Sequence, residues 1–311
     1  MSISSATVEI PKFLKEMIEE QYKKEIAEKI FQGYQVKRYT TLRANTLKGE
    51  ITEIENTLKE KKIKYEKVEW SNIAFILKNI SEKKIRDLEI YQEGKIYLQS
   101  LSSMLPPIIL QPKEGADLLD MTAAPGGKTT QIASITNNKA NITACEMNKI
   151  RAERLKYNLE KQGANAYVMT QDARKIDDFF SFDQILLDAP CSGSGTIQLH
   201  PQSEKQDYKL EEIFTAKLIQ KSVKSQIELL KKAITLLKQG KEMVYSTCSI
   251  LANENEDIIQ NILKQGNIEI VPIKFKGMNQ LPLLPTKIEG TLCVCPNELY
   301  EGFFIAKIRK L

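Results

Sequence analysis

The sequence is short of what several enzyme classes need. It holds one histidine, His200, in 311 residues. A Ser-His-Asp hydrolase would have to use it as base, and no G-x-S-x-G elbow accompanies it. The five cysteines are an odd number without a disulfide-like framework, which points to a reduced, intracellular setting and so to the cytoplasm. Cys293 and Cys295 form one close pair with no second pair to complete a zinc site, so no metal is expected. No stretch approaches the roughly 20 apolar residues that span a bilayer. The opening MSISSATVEIPKFLKEM lacks a basic segment followed by an apolar one, so neither a membrane nor a secretory signal is expected. Excess charge is scarce too. The net +5 is compatible with nucleic acid without demanding it.

What is present is an ordinary globular composition, long enough for one large domain or for one domain plus a smaller one. In residues 11–31 apolar positions recur every three or four residues, which predicts an amphipathic helix. A strand at Thr41–Asn45, a helix at Glu50–Lys61 and strands at Tyr65–Glu69 and Ile73–Leu77 complete a small α+β module, with the boundary placed at residue 95. Lys37, Arg38 and Arg43 flank its TLRANTLK strand as candidate phosphate contacts. Residues 96–311 read differently. Short apolar runs at 116–123, 140–147, 165–172, 182–190 and 241–249 alternate with helices near 127–137, 148–162, 215–239 and 253–265. That alternation predicts a mostly parallel sheet covered on both faces by helices. Closing strands are expected in NIEIVPI, GTLCVCPN and GFFIAKIRK.

Ligands of such sheets bind beyond the carboxyl ends of the strands. Those ends carry Thr122-Ala123-Ala124-Pro125-Gly126-Gly127-Lys128, then Glu146, Asp172, Asp188 with Cys191, and finally Ser246-Thr247-Cys248-Ser249. Polar loops alone do not explain a carboxylate at three successive tips and a cysteine at the last two. The Gly-rich loop is not a phosphate-binding P-loop, because the pattern requires glycine where Thr122 stands. Glu146 is placed to bind ribose hydroxyls, and Asp172 to accept from an adenine amino group. Cys145, inside a strand, reads as a core residue. Cys191 and Cys248, flanked by Gly, Ser and Thr, face the crevice, with Lys128 as a nearby cation able to depress a thiol pKa.

DMTAAPGGKTT, LLDAPCSGSGT and VYSTCSILANENE resemble the RsmB/Sun-type RNA cytosine-C5 methyltransferases, and TLRANTLK, KIYLQSLSSMLPPIIL and EGFFIAKI support the match over residues 40–310. The resemblance implies a class I methyltransferase fold, Rossmann-like with seven strands, and a small RNA-facing domain over residues 1–95. It implies S-adenosyl-L-methionine as cofactor, bound by Thr122–Lys128, Glu146, Asp172 and Asp188. Asp188, with Lys128 beside it, would contact the target base. Cys248 would be the nucleophile, and Cys191 would help release product. A thiolate that adds to carbon 6 of cytosine makes carbon 5 electron-rich enough to accept a methyl group, after which a base removes the carbon-5 proton. Thr122 and Glu146 depart from the Cys and Asp of many members. The expected partner is RNA, ribosomal rather than transfer RNA, and the expected state is a monomer. Amine methylation is disfavoured, because DAPC stands where such enzymes carry N/D-P-P-Y. A non-catalytic RNA-binding assembly factor is the alternative from another class.

Overall fold

The computed structural model describes residues 9–199 and 210–311, so His200 lies outside the described residues. The periodic segment at 11–31 forms two helices, α1 (Lys12–Gln21) and α2 (Lys24–Gln35), not one. The break is Tyr22, whose backbone is extended at φ −115° and ψ 148°. Its side chain turns into the core, where the hydroxyl donates to the Ile250 carbonyl at 2.8 Å.

Next come β1 (Thr40–Ala44), α3 (Ile51–Glu60), β2 (Tyr65–Val68), β3 (Ser71–Leu77), α4 (Glu82–Arg86), α5 (Glu89–Gln92) and β4 (Ile96–Leu98). The strands pair antiparallel in the order β2-β3-β1-β4, so this sheet takes in a strand beyond residue 95. Its core is Leu42, Phe75, Leu77 and Ile96 under Ile54 and Leu58 of α3. Helix α6 (Leu101–Leu110) was hidden from the periodicity scan by Pro106 and Pro107 inside it. Proline has no N–H to give, and the Ser103 carbonyl four residues before Pro107 is met instead by Gln99 Nε2 at 3.1 Å.

The second sheet contains β5 (Asp117–Asp120), β6 (Asn141–Cys145), β7 (Tyr167–Met169), β8 (Phe182–Asp188), β9 (Leu237–Thr247), β10 (Ile268–Ile270), β11 (Leu283–Leu284), β12 (Leu292–Val294) and β13 (Phe303–Lys310). Between them run α7 (Gly127–Ile135), α8 (Lys149–Gln162), α9 (Leu210–Ile213), α10 (Ala216–Leu236) and α11 (Glu256–Leu263). The strand order is β11-β12-β13-β9-β8-β5-β6-β7, with β10 beside β13. The class I α/β architecture holds, but the sheet has nine strands, not seven. Strands β5 to β9 are parallel, whereas β10 to β13 pair antiparallel. Strands of two and three residues leave no periodicity to read, and β11 was missed for that reason.

Side chains of successive residues alternate between two cores. Leu119, Ile185, Leu187, Met243 and Tyr245 face one, and Leu118, Leu186 and Val244 face the other. The chain runs outward from β5 through β6 to β7, then returns to β8 on the other side of β5. That reversal opens a crevice at the carboxyl ends of β5 and β8. Among the described residues, no helix is long and apolar enough to cross a membrane.

Candidate active site

Thr122–Lys128 links β5 to α7 at this reversal. Gly126 caps α7 at φ +108°, and a Cβ there would also lie 3.0 Å from Leu155 Cδ1. Only glycine adopts that backbone without strain. Helix α8 braces the loop through Arg151 Nη2, which donates to the Ala124 carbonyl at 2.8 Å, and Asn158 Nδ2, which donates to that of Pro125 at 2.7 Å. Ala123 and Ala124 are buried while Pro125 is exposed at the tip. Beneath the loop, Asp120 Oδ2 accepts from Thr129 Oγ1 at 2.7 Å. Burial pushes the Asp120 carboxyl up to about 6, against the pull of Thr129 and Lys128.

Glu146, at the tip of β6, is buried. Its carboxylate accepts from the Asn148 amide at 2.9 Å and lies 3.4 Å from Arg151 Nη1. Asp172 stands beyond β7 and accepts from Arg174 Nε and Nη2, the shortest contact being 2.6 Å. That guanidinium holds its carboxyl below the usual carboxylate range. Asp172 is therefore ion-paired, a contact the sequence did not signal.

The other candidates converge. Lys128 Nζ donates to Asp188 Oδ2 and to Ser103 Oγ, each at 2.7 Å. Asp188 Oδ1 accepts from Ser246 Oγ at 2.7 Å, and its carbonyl accepts from Thr122 Oγ1 at 2.8 Å. Lys128 also lies 5.5 Å over the Phe303 ring. Ser103 and Phe303 were not singled out in the sequence, although both fall in motifs that carry the resemblance.

Strands β8 and β9 run parallel with Asp188 opposite Ser246, so residues two and three further on meet above the sheet. There Cys191 Sγ and Cys248 Sγ lie 2.9 Å apart, both half-buried. The Gly195 amide donates to the Cys248 carbonyl at 2.9 Å, and the Gly302 amide to that of Gly195 at 2.8 Å. A Cβ on Gly195 would lie 2.0 Å from the Gly302 oxygen, so SGSG and EGFF touch backbone to backbone. Glu254, fully buried, accepts from the Ser192 amide (2.7 Å), Ser192 Oγ (2.5 Å) and Ser249 Oγ (2.6 Å). The Cys191 thiol is held well above the usual cysteine range, first by its hydrogen bond to Cys248, then by burial and the charges of Cys248 and Glu254. Cys145 is a core residue, as expected, its thiol pushed up to about 12 by burial.

The N-terminal helices buttress both cysteine loops. Gln21 Nε2 donates to the Ile250 carbonyl at 2.9 Å, and Tyr34 Oη to that of Ser194 at 2.7 Å. Arg38 does not stand free for phosphate, because it donates to the carbonyls of Thr196 (3.1 Å) and Ile197 (3.0 Å). Arg43 is fully buried and bonds Gln99 Oε1 and Thr130 Oγ1, so it cannot contact phosphate either. Strand alternation turned it inward, and a charged residue at that position gave no warning.

Residues 107–309 match the family described as 16S rRNA methyltransferase RsmB/F, and residues 10–82 match the ferredoxin-like domain of RsmF/B-like methyltransferases. Ribosomal RNA small subunit methyltransferase F of Shewanella woodyi is 35% identical over 78% of this chain and 51% of its own length. The tRNA (cytosine(72)-C(5))-methyltransferase of Pyrococcus horikoshii is 35% identical over 73% of this chain and 55% of its own. The chain thus spans about half the length of these curated relatives. A crystal structure of a methyltransferase homolog protein from P. horikoshii superposes with a TM-score of 0.77 at 31% identity, covering 97% of this chain and all of that one.

Proposed function

The chain belongs to the 16S rRNA methyltransferase RsmB/F family, and on that premise we propose that it transfers a methyl group from S-adenosyl-L-methionine to carbon 5 of a cytosine in RNA. The observation that carries this reading is the 2.9 Å approach of Cys191 and Cys248 beside the Lys128–Asp188 pair. The residues fit the cofactor. Gly126 gives the loop its left-handed turn at φ +108°, the amino end of α7 follows it, and the Glu146 carboxylate can take a ribose diol. When bound, S-adenosylmethionine supplies a methyl group activated on a sulfonium.

The chain's own residues do the rest. The Cys248 thiolate bonds to carbon 6, and the electrons of the 5,6 double bond move to carbon 5. Asp188 accepts from the exocyclic amine, and Lys128 offers a proton toward ring N3. After methylation Cys191, its own proton given up to solvent, takes the carbon-5 proton as a thiolate, and any proton lent to ring N3 returns to Lys128. The double bond re-forms, and the carbon–sulfur bond breaks to release Cys248. A binding-only assembly factor does not need two thiols in contact.

Ribosomal RNA is the proposed substrate, following the matched family. Transfer RNA is the second reading, which the equally identical Pyrococcus relative favours. Bisulfite sequencing of RNA from cells lacking this chain tests both. One cytosine that loses its protection names the substrate, and an unchanged pattern in both RNA classes sinks the function.

A further inference from the structure

Two adjacent thiols pose a problem of assignment, because either sulfur can attack and only one should. The mechanism above leaves unused one buried charged group that touches both loops. Glu254 sits in the short turn Ala252–Glu254, with no exposed surface. One of its oxygens accepts from the Ser192 amide, beside Cys191; the other accepts from the hydroxyls of Ser192 and of Ser249, beside Cys248. Gln226 on α10 adds a long contact of 3.4 Å and donates to the Pro190 carbonyl at 2.8 Å. All of these donors are neutral, so none of them offsets a carboxylate charge beside the thiols.

We propose that Glu254 is a positioning residue that gives the two thiols different roles, joining their loops and reserving the proton on Cys191 so that Cys248 attacks. The proposal rests on the two-thiol reading of the site. The groups that act on Cys191 are Cys248 beyond β9, Glu254 in its turn, the Gly193 amide, which lowers its pKa, and the nearby Tyr245 of β9. Tyr245 donates to the Glu254 carbonyl at 2.8 Å, and burial holds its proton on. Lys128 is taken up by Asp188 and Ser103, which leaves Glu254 as the fixed anion next to the pair. Its charge disfavours a second thiolate. Once Cys248 is bonded to carbon, its hydrogen bond and charge no longer act on Cys191. The Cys191 proton then passes to solvent, and burial and Glu254 keep the resulting thiolate basic enough to take the carbon-5 proton.

The test needs neither RNA nor cofactor, so its failure is separate from failure of the methylation reading. In Cys248→Ser protein, alkylation of Cys191 by iodoacetamide is followed across pH by mass spectrometry of its peptide. Glu254→Gln removes the charge and keeps the shape. The midpoint of the alkylation profile should move to lower pH, and the rate at neutral pH should rise about two- to fourfold, since added thiolate outweighs lost nucleophilicity. Glu254→Asp retains the charge and should leave the midpoint high. An unmoved profile in Glu254→Gln, or an equal shift in Glu254→Asp, overturns the proposal. If Glu254→Gln loses its native circular dichroism, Ser249→Ala decides: it loosens the tie and keeps the charge, so the midpoint stays high, and a fall overturns the idea.

Discussion

At the scale of single residues, the proposed chemistry rests on a division of labour between two sulfurs. Cys248→Ala should reduce methyl transfer to background and form no RNA adduct. Cys191→Ala should still attack, but without a base for the carbon-5 proton its turnover should fall by about a hundredfold or more. A denaturing gel of each variant with RNA and S-adenosylmethionine reads the outcome. An adduct that persists with Cys248→Ala and not with Cys191→Ala reverses the roles.

Asp120 carries a second consequence. Its folded carboxyl titrates near 6, against an ordinary value of 3.8. The folded state therefore holds this proton longer than the unfolded one. Its contribution to stability is fullest below about pH 4 and is lost as the pH climbs through about 6, by roughly 3 kcal/mol in all. Asp120→Asn should remove that slope. Urea unfolding of both proteins at pH 4.5 and 7 should show the stability difference between them shifting toward the variant at the higher pH, and a constant difference would falsify the assignment.

Residue by residue, the strand-tip acids and both cysteines were legible, because chemistry-bearing side chains at successive tips stand out against apolar runs. Glu254 and Ser103 were not. A buried carboxylate that works through hydrogen bonds looks in sequence like any surface glutamate, and a serine's partner is fixed only by tertiary structure. Asp172 was visible, but its clamp by Arg174 depends on a turn two residues long.

At the scale of elements, the cysteines are held by loops that share backbone. The DAPCSGSGT loop, the STCS loop and the EGFF segment stack through Gly195 and Gly302. Gly195→Ala puts a methyl group where a carbonyl oxygen lies 2.0 Å away, and both walls are main chain, so neither can rotate aside. The loops must part, at a cost of about 1–3 kcal/mol for overpacking. Because the Gly195 amide also pins the Cys248 carbonyl, adduct formation should fall more than stability does. Gly240→Ala is the comparison. Nothing lies within 4 Å of a Cβ there, and only the φ of +73° is strained, so it should lose about 1 kcal/mol and leave the adduct rate unchanged. Denaturant melts and single-turnover adduct rates on both proteins separate the two effects.

The repeating β and α segments were readable because short apolar runs alternate with helical segments at a regular spacing. The break at Tyr22, the proline-bearing α6 and the short strands of the tail were not. In each of these, tertiary contacts override a local pattern that is weak or points elsewhere.

At the scale of the whole molecule, the small sheet and the large one are fastened together by a buried polar cluster. Arg43 of β1 reaches Gln99 Oε1 at 3.1 Å and Thr130 Oγ1 at 3.0 Å, and Gln99 Nε2 reaches Gln131 Oε1 at 3.1 Å. Thr130 and Gln131 lie in α7, the helix that follows the Gly-rich loop. No carboxylate neutralises the guanidinium in these contacts, and burial lowers its pKa to about 10. A second fastening is Trp70, between β2 and β3, which packs into the core of the large sheet and donates to Tyr300 Oη at 2.9 Å. Helices α1 and α2 pack into the core on the other face of that sheet, through Leu14, Ile18, Ile30 and Tyr34. The chain should therefore unfold as one cooperative unit despite its two sheets. Trp70 is the sole tryptophan, so its fluorescence reports this junction while far-UV circular dichroism reports the whole. The two urea transitions should coincide in the native protein. Arg43→Ala leaves Gln99 Oε1 without its Arg43 donor beside a cavity and should lower stability by about 3 kcal/mol or more. It should also weaken cofactor binding through α7. If fluorescence and dichroism already separate in the unmutated chain, the two sheets are independent and Arg43 is not the fastening described.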